Sequence, residues 1–124
     1  MPAKVLIVDD EQDFLDIMAE RIQARGMEVS TATSAQDALE KVQTESFDAV
    51  IMDFLMPEMD GFKALKLLKE TRPDLAIILL TANVREEERI AAKNLGAMDV
   101  IEKPADLNIL TRKIEEARAL SNNE

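Results

Sequence analysis

The feature that most constrains the fold is a fivefold alternation of short apolar runs with segments of helical periodicity. The apolar or alternating runs are Lys4–Val8, Glu28–Ala32, Ala49–Met52, Ala76–Leu80 and Met98–Glu102. Each run is followed by a stretch with apolar residues at helical spacing, and the sequence contains no internal repeat, linker or low-complexity segment. Parallel strands need crossover connections, so the alternation predicts a parallel sheet covered by helices on both faces.

The composition of each run predicts its position in the sheet. The first, third and fourth runs are continuously apolar, as strands buried on both faces must be. The second alternates and the fifth carries Asp99 and Glu102, so both are predicted to be edge strands. With right-handed crossovers, these positions fit the order 2-1-3-4-5, a flavodoxin-like, doubly wound (βα)5 fold of the α/β class. We expect a single domain over residues 1–124.

Capping and breaking residues predict where several helices begin and end. Ser34 and Asp37 form a capping pair at the start of the second helix. The third helix is predicted to begin near Asp60 and to end before Pro73. Gly96 is predicted to close the fourth helix.

Composition excludes several classes of function. The chain has no cysteine and no histidine, which excludes disulfides, thiolate metal sites and the commonest general base. Its net charge of −10 repels nucleic acid phosphates and anionic lipid, so we expect no direct nucleic acid binding. No apolar run is long enough for a signal peptide core or a membrane span. We therefore expect an acidic cytoplasmic protein without membrane insertion.

Acidic residues end two of the predicted central strands. Asp9 and Asp10 follow the first strand, and Asp53 follows the third. In this fold, ligands bind beyond the carboxyl ends of the strands where the strand order reverses, here between strands one and three. Two like charges about 4 Å apart repel by roughly 4 kcal/mol at an effective dielectric constant of about 20. The three acids must therefore bind a cation, share a proton or be bridged by a base.

The type of ligand atom favours Mg²⁺ as that cation. Carboxylates are hard oxygen ligands, and the chain offers neither histidine nor cysteine to a softer metal. The structural alternative is that Asp9 and Asp10 cap the first helix while Asp53 begins a turn.

Thr81 and Lys103 follow the fourth and fifth strands at the same predicted edge. A hydroxyl and an ammonium beside metal-bound carboxylates supply what an incoming phosphoryl group needs, namely a hydrogen bond and charge neutralisation. Asp53 could then act as the nucleophile and form an acyl phosphate. Taken singly, Thr81 is explained by its place at a strand end and Lys103 by a solvated charge.

Four sequence blocks resemble the response-regulator receiver domain of two-component signalling, and the resemblance covers essentially the whole chain. The blocks are LIVDDE (6–11), IMDFLMPEMDGF (51–62), LLTA (79–82) and GAMDVIEKP (96–104). The resemblance implies a phosphorylation-activated switch in which Asp53 accepts a phosphoryl group from a phosphohistidine of a sensor histidine kinase or phosphotransfer protein. Phosphorylation would change binding to a downstream protein partner or output domain. Such a domain catalyses only its own phosphoryl transfer and dephosphorylation.

The resemblance also implies a magnesium site. Asp9 and Asp10 would organise Mg²⁺, with Asp10 favoured as the direct ligand. Asp53 and the backbone carbonyl of Leu55 would complete the protein's share of the coordination.

Further roles follow from the same resemblance. Thr81 would move to meet the phosphoryl group, and Lys103 would pair with it. The Lys103–Pro104 bond resembles a peptide bond that is often cis in the family. Pro57 and Gly61 would shape the loop after the acceptor.

The chain departs from the family pattern at two positions near the fifth strand. Val100 stands where members usually carry an aromatic residue, which argues against an aromatic relay of the signal. Ala105 stands where many members have a large apolar residue. Leu55 and Asn83 occupy positions that influence the lifetime of the phosphoryl group in the family.

Three alternative functions stay open from the sequence. A flavin-binding electron carrier would need a phosphate loop and aromatic residues, but the chain has acids after the first strand and four Phe without Trp or Tyr. A metal-dependent phosphatase would share the aspartyl nucleophile. A phosphate-independent, receiver-like scaffold is kept open by Val100. The sequence does not identify the kinase, the stimulus or the output partner, nor whether the chain is stand-alone or dimerises on activation.

Overall fold

The structure is a computed structural model that describes residues 2–56 and 59–122. Pro57, for which a role in the loop was predicted, lies outside the described residues. Strands and helices alternate in the order β1 Lys4–Val8, α1 Gln12–Gln23, β2 Glu28–Ala32, α2 Ala35–Thr44, β3 Ala49–Asp53, α3 Gly61–Thr71, β4 Ile77–Thr81, α4 Glu86–Asn94, β5 Asp99–Glu102 and α5 Leu107–Asn122. Between β3 and α3, the two-residue strands Leu55–Met56 and Met59–Asp60 pair in antiparallel fashion.

The five main strands form one parallel sheet in the order β2-β1-β3-β4-β5. The predicted order and the two predicted edges are therefore confirmed. The register places Val8 of β1 beside Met52 of β3, and Asp53 of β3 beside Leu80 of β4. The carboxyl ends of β1, β3 and β4 consequently meet at one edge of the sheet.

The core lies on both faces of the sheet, and side chains alternate between them along each strand. In β1, Val5 and Ile7 pack in the cluster that contains apolar residues of α1 and α5. Leu6 and Val8 pack in the cluster shared with α2, α3 and α4. All five residues of β3 are buried. Because full burial of a large aliphatic side chain contributes about 1.5–3 kcal/mol, this double core holds the strand ends firmly in place.

Capping interactions confirm the predicted helix boundaries. The Ser34 hydroxyl accepts a hydrogen bond from the Asp37 N–H at 3.1 Å, and α2 begins at the next residue. The Asp60 carboxylate accepts one from the Phe62 N–H at 2.8 Å, at the start of α3. Gly96 follows α4 with a φ of 108°, a left-handed conformation that glycine adopts without a Cβ clash.

The observed strands differ from the predicted ones by one residue at some ends, because the apolar runs in the sequence begin before the residues that pair in the sheet. Ala76 and Met98 are apolar but precede the first paired residues of β4 and β5, so both strands begin one residue later than predicted. Thr81 and Asp53 are the last residues of β4 and β3 rather than the residues that follow them. Within the described ranges, no helix is both long and apolar enough to cross a bilayer.

Asp99 at the start of β5 connects the edge strand to its flanking helices. Its carboxylate lies 3.1 Å from the Lys113 ammonium of α5, 3.7 Å from Lys93 and 3.8 Å from Arg89 of α4. It also accepts a hydrogen bond from the Val100 N–H at 2.8 Å. Burial alone would raise the pKa of Asp99, but this hydrogen bond and the nearby lysines outweigh burial and lower the pKa below its ordinary value.

We predict that Asp99→Asn lowers the free energy of unfolding by about 1 kcal/mol at pH 7. Because the pKa of Asp99 is depressed in the folded state, its contribution is complete above the unfolded pKa of about 4. The contribution is lost as the pH falls through the folded-state value, so the difference from wild type should shrink below about pH 4. Urea titrations at pH 7 and pH 3, followed by circular dichroism, measure both. The exposed Asp16→Asn change on α1 serves as the control, and an undiminished difference at pH 3 would refute the electrostatic origin.

Candidate functional site

Three carboxylates converge at the edge of the sheet where the strand order reverses. Asp9 and Asp53 are buried, with 1% and 8% of their surface exposed, whereas Asp10 is exposed. One oxygen from each carboxylate lies within 4.8 Å of the others. The pairing of β1 with β3 produces this arrangement, since it aligns the residues that precede Asp9 and Asp53. The predicted convergence of the three acids is therefore present.

Asp9 combines a structural bond with a charged contact. Its Oδ1 accepts a hydrogen bond from the Glu11 N–H at 2.9 Å, which shapes the turn into α1. Its Oδ2 accepts one from the Lys103 ammonium at 3.0 Å. The alternative explanation, in which this acid only arranges the start of the helix, thus accounts for one of its two oxygens.

Lys103 connects two of the acids. Its ammonium donates to Asp9 Oδ2 at 3.0 Å and to Asp53 Oδ2 at 3.3 Å. The side chain is 19% exposed, which is far from a freely solvated charge. Burial alone would lower the pKa of Lys103, but the hydrogen bond to Asp9 and the charge of Asp53 outweigh burial and raise the pKa above its ordinary value. Lys103 therefore stays protonated between the carboxylates.

The backbone fixes the point from which Lys103 reaches the acids. The Lys103 N–H donates to the Thr81 carbonyl oxygen at 2.7 Å, directly after the last paired residue of β5. The Lys103–Pro104 peptide bond is cis, as the resemblance implied.

Thr81 lies at the same edge with its hydroxyl engaged by the following loop. The residue is 1% exposed. Its Oγ1 donates to the Asn83 carbonyl oxygen at 3.1 Å and accepts from the Asn83 N–H at 3.4 Å. A hydroxyl has one proton to donate. To donate to a new ligand, Thr81 must give up the Asn83 carbonyl.

The segment after Asp53 approaches the start of α3 closely. A Cβ at Gly61 would overlap the Phe54 carbonyl oxygen, so this position requires glycine for the predicted loop shape. The rings of Phe54 and Phe62 pack edge to face with centroids 4.8 Å apart. The backbone of Leu55 lies in a two-residue strand opposite Asp60, and the role of its carbonyl as a metal ligand stays a prediction.

Val100 is buried, and small apolar residues belong to the same cluster. It is 3% exposed and belongs to the same cluster as Ala92 and Ala97. Its carbonyl oxygen accepts a hydrogen bond from the Arg89 guanidinium at 2.5 Å. Val100 thus contacts the core through a small apolar side chain and contacts α4 through its backbone carbonyl.

Two contacts within the site were not identified from the sequence. Phe14 presents its ring to the Lys103 ammonium, with 4.3 Å from Nζ to the ring centroid, and Asn83 holds the Thr81 hydroxyl. A usable signal existed for Phe14, because the first turn of a helix that follows β1 must lie near the carboxyl edge of the sheet. Asn83 was singled out by its position two residues after Thr81, but its contact with the Thr81 hydroxyl gave no comparable signal, since it depends on a local loop conformation.

The arrangement of the three acids fits a hard divalent cation. Oxygen atoms on opposite sides of an octahedral Mg²⁺ are about 4.2 Å apart, twice the usual Mg–O distance of about 2.1 Å. The carboxylate oxygens lie within 4.8 Å of one another, an upper limit that exceeds this spacing by about 0.6 Å, so small side-chain shifts would let them bind one ion. A carboxylate accepts several contacts at once, so the bonds to Lys103 leave Asp9 and Asp53 capacity for a metal.

Comparison with known proteins identifies the family. Residues 5–115 match the sequence model of the response regulator receiver domain. This chain belongs to that family. The sequence is 40% identical over 100 residues to the response regulator SaeR of Staphylococcus epidermidis, covering 81% of this chain and 43% of that protein. The chain therefore spans less than half the length of the curated relatives it matches.

Solved receiver domains share the fold over nearly the whole chain. A response regulator receiver domain protein from Clostridium thermocellum superposes with a TM-score of 0.89 at 32% identity, covering 97% of both chains. The BeF3-activated DrrB receiver domain superposes with a TM-score of 0.82 at 30% identity, covering 94% of this chain and 97% of that one. The flavodoxin-like architecture is thus that of the family.

We predict that Lys103→Met lowers the free energy of unfolding by about 2 kcal/mol in the presence of EDTA. The change removes the cation that connects Asp9 and Asp53, and their repulsion is then less compensated. Urea titration followed by circular dichroism measures the loss.

The control is Lys66→Met on the exposed face of α3, which we expect to stay within about 0.5 kcal/mol of wild type. Adding Asp9→Asn to Lys103→Met should recover part of the loss because it removes one of the repelling charges. Equal stabilities for the two single variants would contradict an electrostatic role for Lys103.

Proposed function

We propose that this receiver domain is a phosphorylation-controlled signalling switch in which Asp53 accepts a phosphoryl group in a Mg²⁺-dependent reaction. The observation that carries the proposal is the position of Asp53 at the tip of β3, where its carboxylate meets Asp9, Asp10 and the Lys103 ammonium. The acids can bind a metal cation, and the Lys103 ammonium is a second cation beside them. Both would neutralise the negative charge of an incoming phosphoryl group.

The proposed transfer balances as a simple displacement. An Asp53 carboxylate oxygen forms a bond to phosphorus while the phosphorus–nitrogen bond of a phosphohistidine breaks and the imidazole leaves. The donor is a sensor histidine kinase or a phosphotransfer protein. Bound to Asp9, Asp10 and Asp53, with the Leu55 carbonyl as a further ligand, Mg²⁺ would supply positive charge for the phosphoryl oxygens. Lys103 would exchange a carboxylate for one of those oxygens.

Thr81 gives the switch a local readout. Its single hydroxyl proton is donated to the Asn83 carbonyl oxygen. Donation to a phosphoryl oxygen would release Asn83, two residues along the loop that leads into α4. Phosphorylation would thereby alter the start of α4 and the binding of a downstream protein partner or output domain.

A solved relative supports this chemistry. The DrrB receiver domain is described as activated by BeF3, whose tetrahedral geometry around beryllium resembles that of a phosphoryl group. The shared fold makes the same response reasonable for Asp53. We place the protein in the cytoplasm, which its cysteine-free composition suits. The charge of −10 makes a protein partner more suitable than nucleic acid.

A phosphate-independent scaffold is the second candidate. The observation that favours it is Val100, which replaces the aromatic side chain expected to change position on activation. In that case a surface formed by α4 and β5, here called the α4–β5 surface, would bind a partner equally well with or without a modification at Asp53. The cluster of acids at Asp9, Asp10 and Asp53 favours the switch.

We predict that wild type incubated with Mg²⁺ and acetyl phosphate gains one phosphoryl group by intact mass. EDTA or Asp53→Asn should abolish the adduct, because one removes the cation and the other the nucleophile. Asp74→Asn, an exposed acid beyond the far edge of the sheet, is the matched control and should retain it.

A phosphohistidine donor and rapid quenching extend the test to a short-lived adduct. Absence of the adduct under both conditions would overturn the switch and leave the scaffold. An adduct that persists in Asp53→Asn would place the acceptor elsewhere.

A further inference from the structure

We propose that Phe14 is a positioning residue for Lys103, holding the ammonium against the acceptor carboxylate through the face of its ring. This inference rests on the proposed function and adds a residue to it. Lys103 Nζ lies 4.3 Å from the Phe14 ring centroid, well inside the range of about 6 Å over which a cation is attracted to an aromatic face. The contact joins α1 to the residue that follows β5.

The ring complements the hydrogen bonds of the ammonium. Asp9 Oδ2 and Asp53 Oδ2 accept bonds at 3.0 Å and 3.3 Å, and an ammonium has three protons to donate. A lysine side chain is a flexible chain of four carbons and loses much conformational freedom when its ammonium is held in one place. The Phe14 ring limits that freedom by giving the ammonium a further contact besides its two hydrogen bonds.

The position of Phe14 is itself fixed by its helix. It is the third residue of α1, and the next residue, Leu15, is fully buried in the core. Phe14 is half-buried and packs against the same cluster. The ring therefore belongs to a rigid element rather than to a loop, as a positioning residue should.

An aromatic face suits a lysine that must change partners. When a phosphoryl group is attached to Asp53, the proposed role of Lys103 requires it to move from a carboxylate oxygen to a phosphoryl oxygen. A hydrogen-bond acceptor at the position of Phe14 would compete for the ammonium. The attraction of a ring face is broad, so the ammonium can shift and keep the contact with Phe14.

The chain contains a second lysine–phenylalanine contact that serves as a matched control. Lys4 Nζ lies 5.3 Å from the Phe47 ring centroid. Phe47 precedes β3, so this contact is at the opposite edge of the sheet from Asp53. The Lys4 side chain is 35% exposed and pairs with Glu45. Phe47→Leu removes the same kind of contact without touching the site.

The test measures the affinity of the Mg²⁺-loaded protein for beryllofluoride, by fluorine NMR or calorimetry. We expect Phe14→Leu and Phe14→Met to bind about three- to tenfold more weakly, because both keep apolar bulk and lose the ring face. Phe14→Tyr should bind within about twofold of wild type because it restores an aromatic face. Phe47→Leu should bind as wild type does.

A double-mutant cycle with Lys103→Met isolates the contact. In the Lys103→Met background, Phe14→Leu should cause no further loss of beryllofluoride affinity. The inference is overturned if Phe14→Leu and Phe14→Met bind like wild type, if Phe14→Tyr fails to restore binding, or if the loss is the same in both backgrounds. Failure of wild type to bind beryllofluoride through Asp53 would instead overturn the proposed function, and this inference with it.

Discussion

The Lys103 contact with Asp9 and Asp53 is the interaction on which the rest of the site depends. The fold brings carboxylates together at the reversal of strand order, and nothing in local sequence preference compensates their repulsion. Lys103 does so from 94 residues away from Asp9 and 50 residues away from Asp53. Its backbone N–H meanwhile holds the Thr81 carbonyl oxygen. One residue thus connects the ends of three strands, and its position is possible only after the sheet has assembled.

The sheet order could be predicted because burial leaves a direct record in composition. A strand covered on both faces cannot alternate, and β1, β3 and β4 are apolar except for one terminal residue each, Lys4, Asp53 and Thr81. Asp99 correctly indicated that β5 is an edge strand. At this edge its carboxylate contacts cations from both flanking helices. The acidic cluster then followed from topology, because parallel strands place their carboxyl ends at one edge.

Side-chain partners could be predicted only where the fold leaves a single choice. Lys103 was predicted at the same edge as the acids because it follows the fifth strand, whereas the position of the Phe14 ring depends on the rotation of α1. The bond between Thr81 and Asn83 depends on a loop whose conformation no periodicity encodes. Ile109 shows the same limit on a helix, since it is apolar and in the pattern of α5 yet 44% exposed. The spacing of apolar residues shows which face of a helix packs on the core, but it does not show which residues of that face are buried.

Val100 changes how a signal can leave the site. A valine has few rotamers, so it cannot alternate between inward and outward positions as a large ring can. Under the proposed function, the connection between the site and the α4–β5 surface would therefore run through hydrogen bonds to the backbone. Asn83 links the Thr81 hydroxyl to the loop before α4, and Arg89 of α4 donates to the Val100 carbonyl oxygen. Under the proposed function, a change at Thr81 that moves α4 would also alter the Arg89 contact, so the position of the helix, and not a side-chain rotamer, is the variable that a partner would sense.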